Sequence, residues 1–339
     1  MSRENDLKDF VECAGWGHAK ITPLAGDASN RRYDRLHLPD GQSAVLMDAS
    51  PFKGEDTRPF VHIATYLHEI GLSAPQIHYS DLENGFLLIE DLGDDLFARI
   101  ISVNPKLELP LYECAVDVLS HLHRSPPPDL KPYNAAIMTP LAALAFDWYQ
   151  FGAQGRMDVP ARDIFSDVFA KLLAPLDAQP QVLIQRDYHA ENLLWLPHRK
   201  SVARVGLLDF QDAMLGHTAY DLVSVLQDAR RDVPAQLEKA MIDRFLEQNP
   251  QDGDQFLSAY AILGTQRNLR ILGVFSRLCL KAGKTHYIDL IPRVWGHIQT
   301  NLKHPDLHDI ARLVNQLLPP PTPDILDRLR SKCATFPDR

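Results

Sequence analysis

The chain has 339 residues, a formal net charge of −9, 45% apolar and 23% charged residues. That length exceeds one simple core and suits two lobes or domains; the acidic balance argues against general nucleic-acid binding, which needs a basic face; and the apolar runs fall far short of the roughly 20 residues that span a bilayer. Cys13, Cys114, Cys279 and Cys333 are scattered without a C-x-x-C pair, which speaks against a disulfide framework or zinc cage and for a reducing cytoplasm, and the polar, acidic start MSRENDLKDF is unlike a signal peptide.

In chain order, Tyr33 to Leu38 and Ser43 to Met47 read as short strands around the turn Pro39-Asp40-Gly41, hence a hairpin. Phe60, Ile63, Ala64 and Leu67 recur at helical spacing, with Pro59 at the start and Gly71 past the end. Phe86 to Ile89 reads as a buried strand that runs into the acidic segment Glu90 to Asp95. Beyond Gly93 the composition turns helical, and the lobe boundary is placed there: 1–93 and 94–339. Leu111, Ala115, Val118, Leu119 and Leu122 form one stripe, stopped by Ser125-Pro126-Pro127-Pro128. Val182 to Ile184, Leu193 to Leu196 and Val205 to Leu208 interrupt the helices as three short strand candidates. Helices then return up to the Pro-rich segment from Leu318 to Pro321.

The block Ile184-Gln185-Arg186-Asp187-Tyr188-His189-Ala190-Glu191-Asn192 lies between two of those strands. Phosphoryl transfer to a hydroxyl needs a carboxylate near the acceptor, oxygen ligands for Mg²⁺ and something to fix the phosphates. Asp187 supplies the carboxylate, and Asn192, at the other end of a tight loop, supplies an amide oxygen. Asp209, in Leu207-Leu208-Asp209-Phe210, ends the next strand and supplies a second hard oxygen ligand. The Asp-x-x-x-x-Asn spacing alone is weak; its placement between strands, followed by strand-Asp-Phe, is a strong signal.

Arg186-Asp187 to Asn192 and Asp209-Phe210 resemble the catalytic and metal loops of protein kinases. The chain is more similar to the aminoglycoside phosphotransferase-like small-molecule kinases. Within them it resembles the bacterial anomeric kinases of N-acetylmuramate and N-acetylglucosamine that serve cell-wall sugar recycling. Gly26 to Tyr33, Leu46 to Ala49, Leu87 to Gly93, Arg186 to Leu193, Leu208 to Ala213, Tyr220 to Leu222 and Gln266-Arg267-Asn268 carry that resemblance. It implies a two-lobed α+β kinase-like fold, with a small N-lobe sheet plus helix and a larger, mostly helical C-lobe. It further implies ATP in the cleft, with adenine against the backbone from Glu90 to Leu92, Mg²⁺ on Asn192 and Asp209, and a small amino-sugar acceptor. No obligate protein partner is expected. The eleven or so residues from Asp209 to Tyr220-Asp221 leave no room for a protein-substrate platform.

Departures from the kinase pattern sharpen the expectations. Of the Gly-rich loop only Gly26 remains, so phosphates would be covered by backbone N–H groups and by Ser29 and Asn30. The phosphate-binding lysine is missing from Ala44-Val45-Leu46-Met47-Asp48; either the lobe works without it, or Arg31 or Arg32 substitutes. His189, Glu191, Gln211 and Asp212 are the nearest polar candidates for the acceptor. Trp148-Tyr149 offers a stacking wall or belongs to the core. Arg267 either binds the lactyl carboxylate of a muramic acid or sits on a solvated face in an ion pair. Asp221 either braces the catalytic loop or is a helix-start acid. A kinase of another small hydroxyl acceptor, such as an aminoglycoside or choline-like alcohol, and a non-catalytic nucleotide-binding regulator are the competing readings. No nucleophile elbow or metal-ligand cluster supports a hydrolase.

Overall fold

The computed structural model describes residues 3–24 and 30–336. Its chain divides into two compact units, one of Met1–Pro128 with Ala190–Ala213, the other of Asp129–His189 with Met214–Arg339. The boundary expected at Gly93 lies inside the first unit.

The first unit is built on a five-stranded antiparallel sheet in the order β1-β2-β3-β5-β4, from β1 (Lys20–Pro23), β2 (Arg32–His37), β3 (Ser43–Asp48), β4 (Ile77–Asp81) and β5 (Phe86–Glu90). The β2–β3 hairpin closes where Pro39-Asp40-Gly41 predicts it. Leu38 N–H donates to the Gln42 carbonyl at 2.9 Å, the Asp40 carboxylate accepts from the Gln42 N–H at 3.0 Å, and Gly41 takes φ 92°, which costs a glycine little. Alternation then sorts the side chains. Leu36, Ala44, Leu46, Phe86 and Leu88 share one face and form a core with Phe10 and Val11 of helix α1 (Arg3–Cys13). Tyr33, Arg35, Val45 and Ile89 point the other way and line a cavity. Helix α2 (Arg58–Glu69) buries the predicted stripe Phe60, Ile63, Ala64 and Leu67.

Helices α3 (Phe97–Val103) and α4 (Glu108–Arg124) follow, α4 ending at Ser125 just ahead of the prolines. The second segment of this unit pairs β7 (Leu193–Trp195) with β8 (Val205–Leu207). It is fastened by Leu207 N–H to the Ser73 carbonyl and Trp195 N–H to the Asp95 carbonyl, at 2.9 and 2.8 Å.

The second unit is helical: α5 (Ala135–Leu144), α6 (Phe151–Gln154), α7 (Val159–Leu173), α8 (Ala219–Leu226), α9 (Ala235–Gln248), α10 (Gly253–Ala282), α11 (Ile291–Asn301), α12 (His308–Leu317) and α13 (Pro323–Ser331). Its spine is α10, 30 residues long, started by an Asp252 carboxylate that accepts from the Gln255 N–H and ended by Gly283 at φ 71°. A short pair, β6 (Gln181–Ile184) with β9 (Met214–His217), stands among these helices. The expected strand Val182 to Ile184 therefore pairs with β9, which the sequence reading missed, while the other two expected strands pair with each other. The Cys279 and Cys333 sulfurs are bonded, joining the end of α10 to the segment after α13. This departs from the expectation of a chain without disulfides: contact between residues 54 positions apart leaves no mark in cysteine spacing.

Candidate active site

The turn after β6 carries Arg186 and Asp187. Asp221, fully buried near the start of α8, accepts hydrogen bonds from the backbone N–H groups of Gln185 at 2.6 Å and Arg186 at 2.9 Å. Of the two readings left open for Asp221, these bonds make the brace, and the residue also stands in the first turn of α8. Burial pushes its pKa up to about 6 against the pull of those two N–H groups. Arg186 sits at φ 71°, a left-handed conformation uncommon outside glycine and characteristic of functional turns. The Asp187 side chain is 35% exposed, with its Oδ1 3.6 Å from Arg267 Nη2. Burial would raise its pKa, but Arg267, Arg270, His189 and Arg186 outweigh that and hold it below the usual carboxylate value. His189 is buried, which pushes it down to about 4. It is therefore neutral near pH 7, and its Nε2 accepts from Arg230 Nη1 at 3.2 Å.

Asn192 and Asp209 belong to the first unit. Asp209, past the end of β8, takes φ 57°, a second non-glycine residue in the left-handed region. Two amide side chains converge on its carboxylate: Gln211 Nε2 donates to Oδ1 at 2.6 Å and Asn192 Nδ2 lies 3.5 Å from Oδ2. A half-turn of an amide exchanges its N–H for its oxygen, so the group offers hard oxygen donors of the kind Mg²⁺ takes together with phosphate oxygens. Among the described residues no group of three or more His, Cys, Asp or Glu side chains could hold a metal without such help.

Asn192, Asp209 and Gln211 lie along a cavity of about 420 Å³ in this unit, together with Glu90, Leu92 and Arg35. The expected adenine-side residues Glu90 and Leu92 and the expected metal residues thus share one space. The phosphate-loop residues behave differently. Ser29 lies outside the described residues. Asn30 Nδ2 donates to the Lys53 carbonyl at 3.3 Å, Arg31 pairs with Glu55 at 2.8 Å, and Arg32 pairs with Asp34 at 2.9 Å. The basic side chains on the cavity wall are Arg35 and Arg99, neither singled out from sequence. The signal for Arg35 was its strand position, two residues from Tyr33 and so on the same face. Its guanidinium grips Asp91 and Asp94, with contacts of 2.9 Å to each.

Of the remaining expected acceptor residues, Glu191 and Asp212 are exposed. Trp148 is buried, in a π-helical turn between α5 and α6. Arg267 is buried on α10.

The profile of the phosphotransferase enzyme family matches residues 20–256, well over half of the chain. The chain belongs to the phosphotransferase enzyme family. It is an enzyme that moves phosphate from ATP to a hydroxyl group of a small molecule. It is 35% identical to the N-acetylmuramate/N-acetylglucosamine kinase of Caulobacter vibrioides, across 94% of this chain and 97% of that protein. It is 32% identical to the kinase of the same name from Pseudomonas aeruginosa, across 92% and 93%. Among solved structures, the choline kinase LicA of Streptococcus pneumoniae superposes with a TM-score of 0.61 at 11% identity, covering 88% of this chain and 99% of that one. The ADP-bound aminoglycoside phosphotransferase APH(2'')-Ib gives 0.59 at 13% identity, covering 88% and 96%. Those structures establish for this phosphotransferase the two-lobed α+β kinase-like fold. Among the described residues no helix is long and apolar enough to cross a membrane.

Proposed function

We propose that this phosphotransferase is a Mg²⁺-dependent anomeric kinase of N-acetylmuramate and N-acetylglucosamine, acting in the cytoplasm in cell-wall sugar recycling. The observation that carries the reading is the similarity to a kinase of that name, 35% identity across 94% of the chain; Asp187 is assigned as the catalytic carboxylate and Asn192 and Asp209 as the metal ligands. Nucleotide binding is assigned to residues 1–93 and acceptor binding to 94–339. The backbone from Glu90 to Leu92 takes the adenine, and the segment ending in Asn30, Arg31 and Arg32 covers the phosphates. His189, Glu191, Gln211 and Asp212 are the polar groups assigned to the sugar, with Trp148 as its apolar neighbour.

In the transfer, the 1-hydroxyl oxygen forms a bond to the γ-phosphorus, the bond from that phosphorus to the β,γ-bridging oxygen breaks, ADP leaves, and the hydroxyl proton passes to Asp187. Asn192 and Asp209 would hold Mg²⁺, which would supply charge neutralisation at the phosphate oxygens. An anomeric hydroxyl is more acidic than an ordinary alcohol, so a carboxylate of low basicity suffices. The lowered pKa of Asp187 agrees with that demand.

The test is a panel in which purified protein, Mg²⁺ and γ-labelled ATP meet N-acetylmuramate, N-acetylglucosamine, an aminoglycoside and choline. Label should appear in the two amino sugars alone. Labelled choline or aminoglycoside with unlabelled amino sugars would replace the proposed acceptor, and ATP binding without transfer to any of the four would favour a regulator.

A further inference from the structure

Helix α10 is apolar along most of its buried face, yet Gln266, Arg267 and Asn268 at its middle are 0%, 3% and 0% exposed. A charged side chain buried to that degree is costly unless its donors are used. The two Nη nitrogens of Arg267 face the catalytic turn, while its buried Nε has no hydrogen-bond partner. Nη1 donates to the Arg186 carbonyl at 2.5 Å, Nη2 lies 3.6 Å from Asp187 Oδ1, and the guanidinium stands 5.7 Å from the centre of the Tyr220 ring.

The peptide groups flanking Arg186 are thereby held from both sides. The N–H is fixed by Asp221, and the carbonyl receives Arg267 together with the Ser224 hydroxyl at 3.3 Å. A non-glycine residue at φ 71° persists only where its surroundings over-determine it, and here three side chains from α8 and α10 do so. The next residue along the chain is Asp187. With its side chain only 4% exposed, Arg267 is packed against the turn and does not face solvent.

We infer that Arg267 is a positioning residue for phosphoryl transfer: it locks the Arg186 turn, holds the Asp187 carboxylate in place, and does not bind the acceptor's carboxylate. The inference rests on the reading of Asp187 as the acceptor-facing carboxylate. The charged and titratable groups around Asp187 within this unit are Arg186 and His189 on its own loop, Tyr220 and Asp221 on α8, and Arg267 and Arg270 on α10. Arg230 and Asp228 act on His189. The cations among them favour the ionised carboxylate, so removing one moves its titration to higher pH.

The two acceptors make the role separable, because N-acetylmuramate carries a lactyl carboxylate and N-acetylglucosamine does not. Arg267→Met should lower kcat by roughly tenfold to a hundredfold on both sugars, the scale of a misplaced reacting group. KM for both should be unchanged, and the acid limb of kcat should move to higher pH. Arg267→Lys keeps the charge and should return the acid limb towards the wild-type position with part of kcat. A loss confined to KM for N-acetylmuramate, or a fall in kcat with an unmoved acid limb in Arg267→Met, would overturn the inference. If Arg267→Met does not fold, the Lys variant decides: a kcat loss shared by both sugars supports positioning, and a KM loss for N-acetylmuramate alone contradicts it. Failure of the wild-type enzyme to phosphorylate either sugar would refute the acceptor assignment instead. The same variants would then be compared on Mg²⁺-dependent hydrolysis of ATP by water, with the same criterion for the acid limb.

Discussion

Asp187 keeps its charge because cations outweigh its burial, which suits it to orient a hydroxyl and take its proton late. Asp187→Asn should therefore lower kcat by about a hundredfold or more, the usual contribution of a positioned acid–base group, while ATP affinity is retained. A loss below tenfold in steady-state assays would remove Asp187 from this role. Asp209 makes a separate prediction. Asp209→Ala removes the carboxylate on which Asn192 and Gln211 converge, so calorimetric binding of ATP should lose its dependence on Mg²⁺; unchanged dependence would place the metal elsewhere. Asp221 governs pH behaviour. Its folded pKa of about 6 lies above the ordinary value of 3.8. Its contribution to stability is therefore complete below the ordinary value and is lost as pH rises through about 6. In Asp221→Asn that step should vanish from denaturant midpoints measured across the range. A wild-type-like slope in the variant would show that another group titrates.

Among the secondary-structure elements, the hairpin β2–β3, α2, β5 and α4 were legible from turn residues, helical spacing and short apolar runs: α2 and α4 carry buried stripes, and β3 and β5 are buried on both faces. Helix α1 and strands β1, β4 and β9 were not. Helix α1 buries only Phe10 and Val11, β1 and β4 are edge strands with mixed polarity, and β9 reads Met-Leu-Gly-His. The glycine in β9 has a packing reason that only the structure supplies: a Cβ on Gly216 would come within 2.5 Å of the Ile184 side chain on its partner strand. The polar run on α10 was visible as an anomaly, but its burial and its grip on the Arg186 carbonyl depend on packing between segments 81 residues apart.

Arg35 is a similar case. Its strand face was predictable, yet its partners Asp91 and Asp94 were not, since they follow β5. Arg35 ties β2 to the segment bordering the cavity through four contacts of 2.9 to 3.0 Å. Arg35→Ala should raise KM for ATP about tenfold, in line with the loss of a charge-assisted contact, and leave KM for the acceptor unchanged. Arg35→Lys should restore little, because an ammonium cannot make both forked pairs. An unaltered KM for ATP in the Ala variant would show that this tie does not shape the nucleotide site.

For the whole molecule, the chain weaves between its two compact units, leaving the first at Pro128 and returning for Ala190–Ala213. Composition suggested a single boundary near Gly93 because the change from strand-rich to helix-rich sequence occurs there. Compactness follows contacts instead, and the β7–β8 pair is fastened to Ser73 and Asp95 of the first unit. The catalytic-loop and metal-loop patterns were nonetheless readable, because they are short and local; Asp187 falls in the second unit, and Asn192 and Asp209 fall in the first. The claim that unites these observations is transfer of phosphate to the anomeric hydroxyl of an N-acetylated amino sugar. Nuclear magnetic resonance of the product made from N-acetylmuramate, ATP and Mg²⁺ tests it most directly. The account predicts a phosphorus signal coupled to the anomeric proton, together with loss of the reducing end. A phosphate coupled to any other sugar proton, with the reducing end intact, would contradict it.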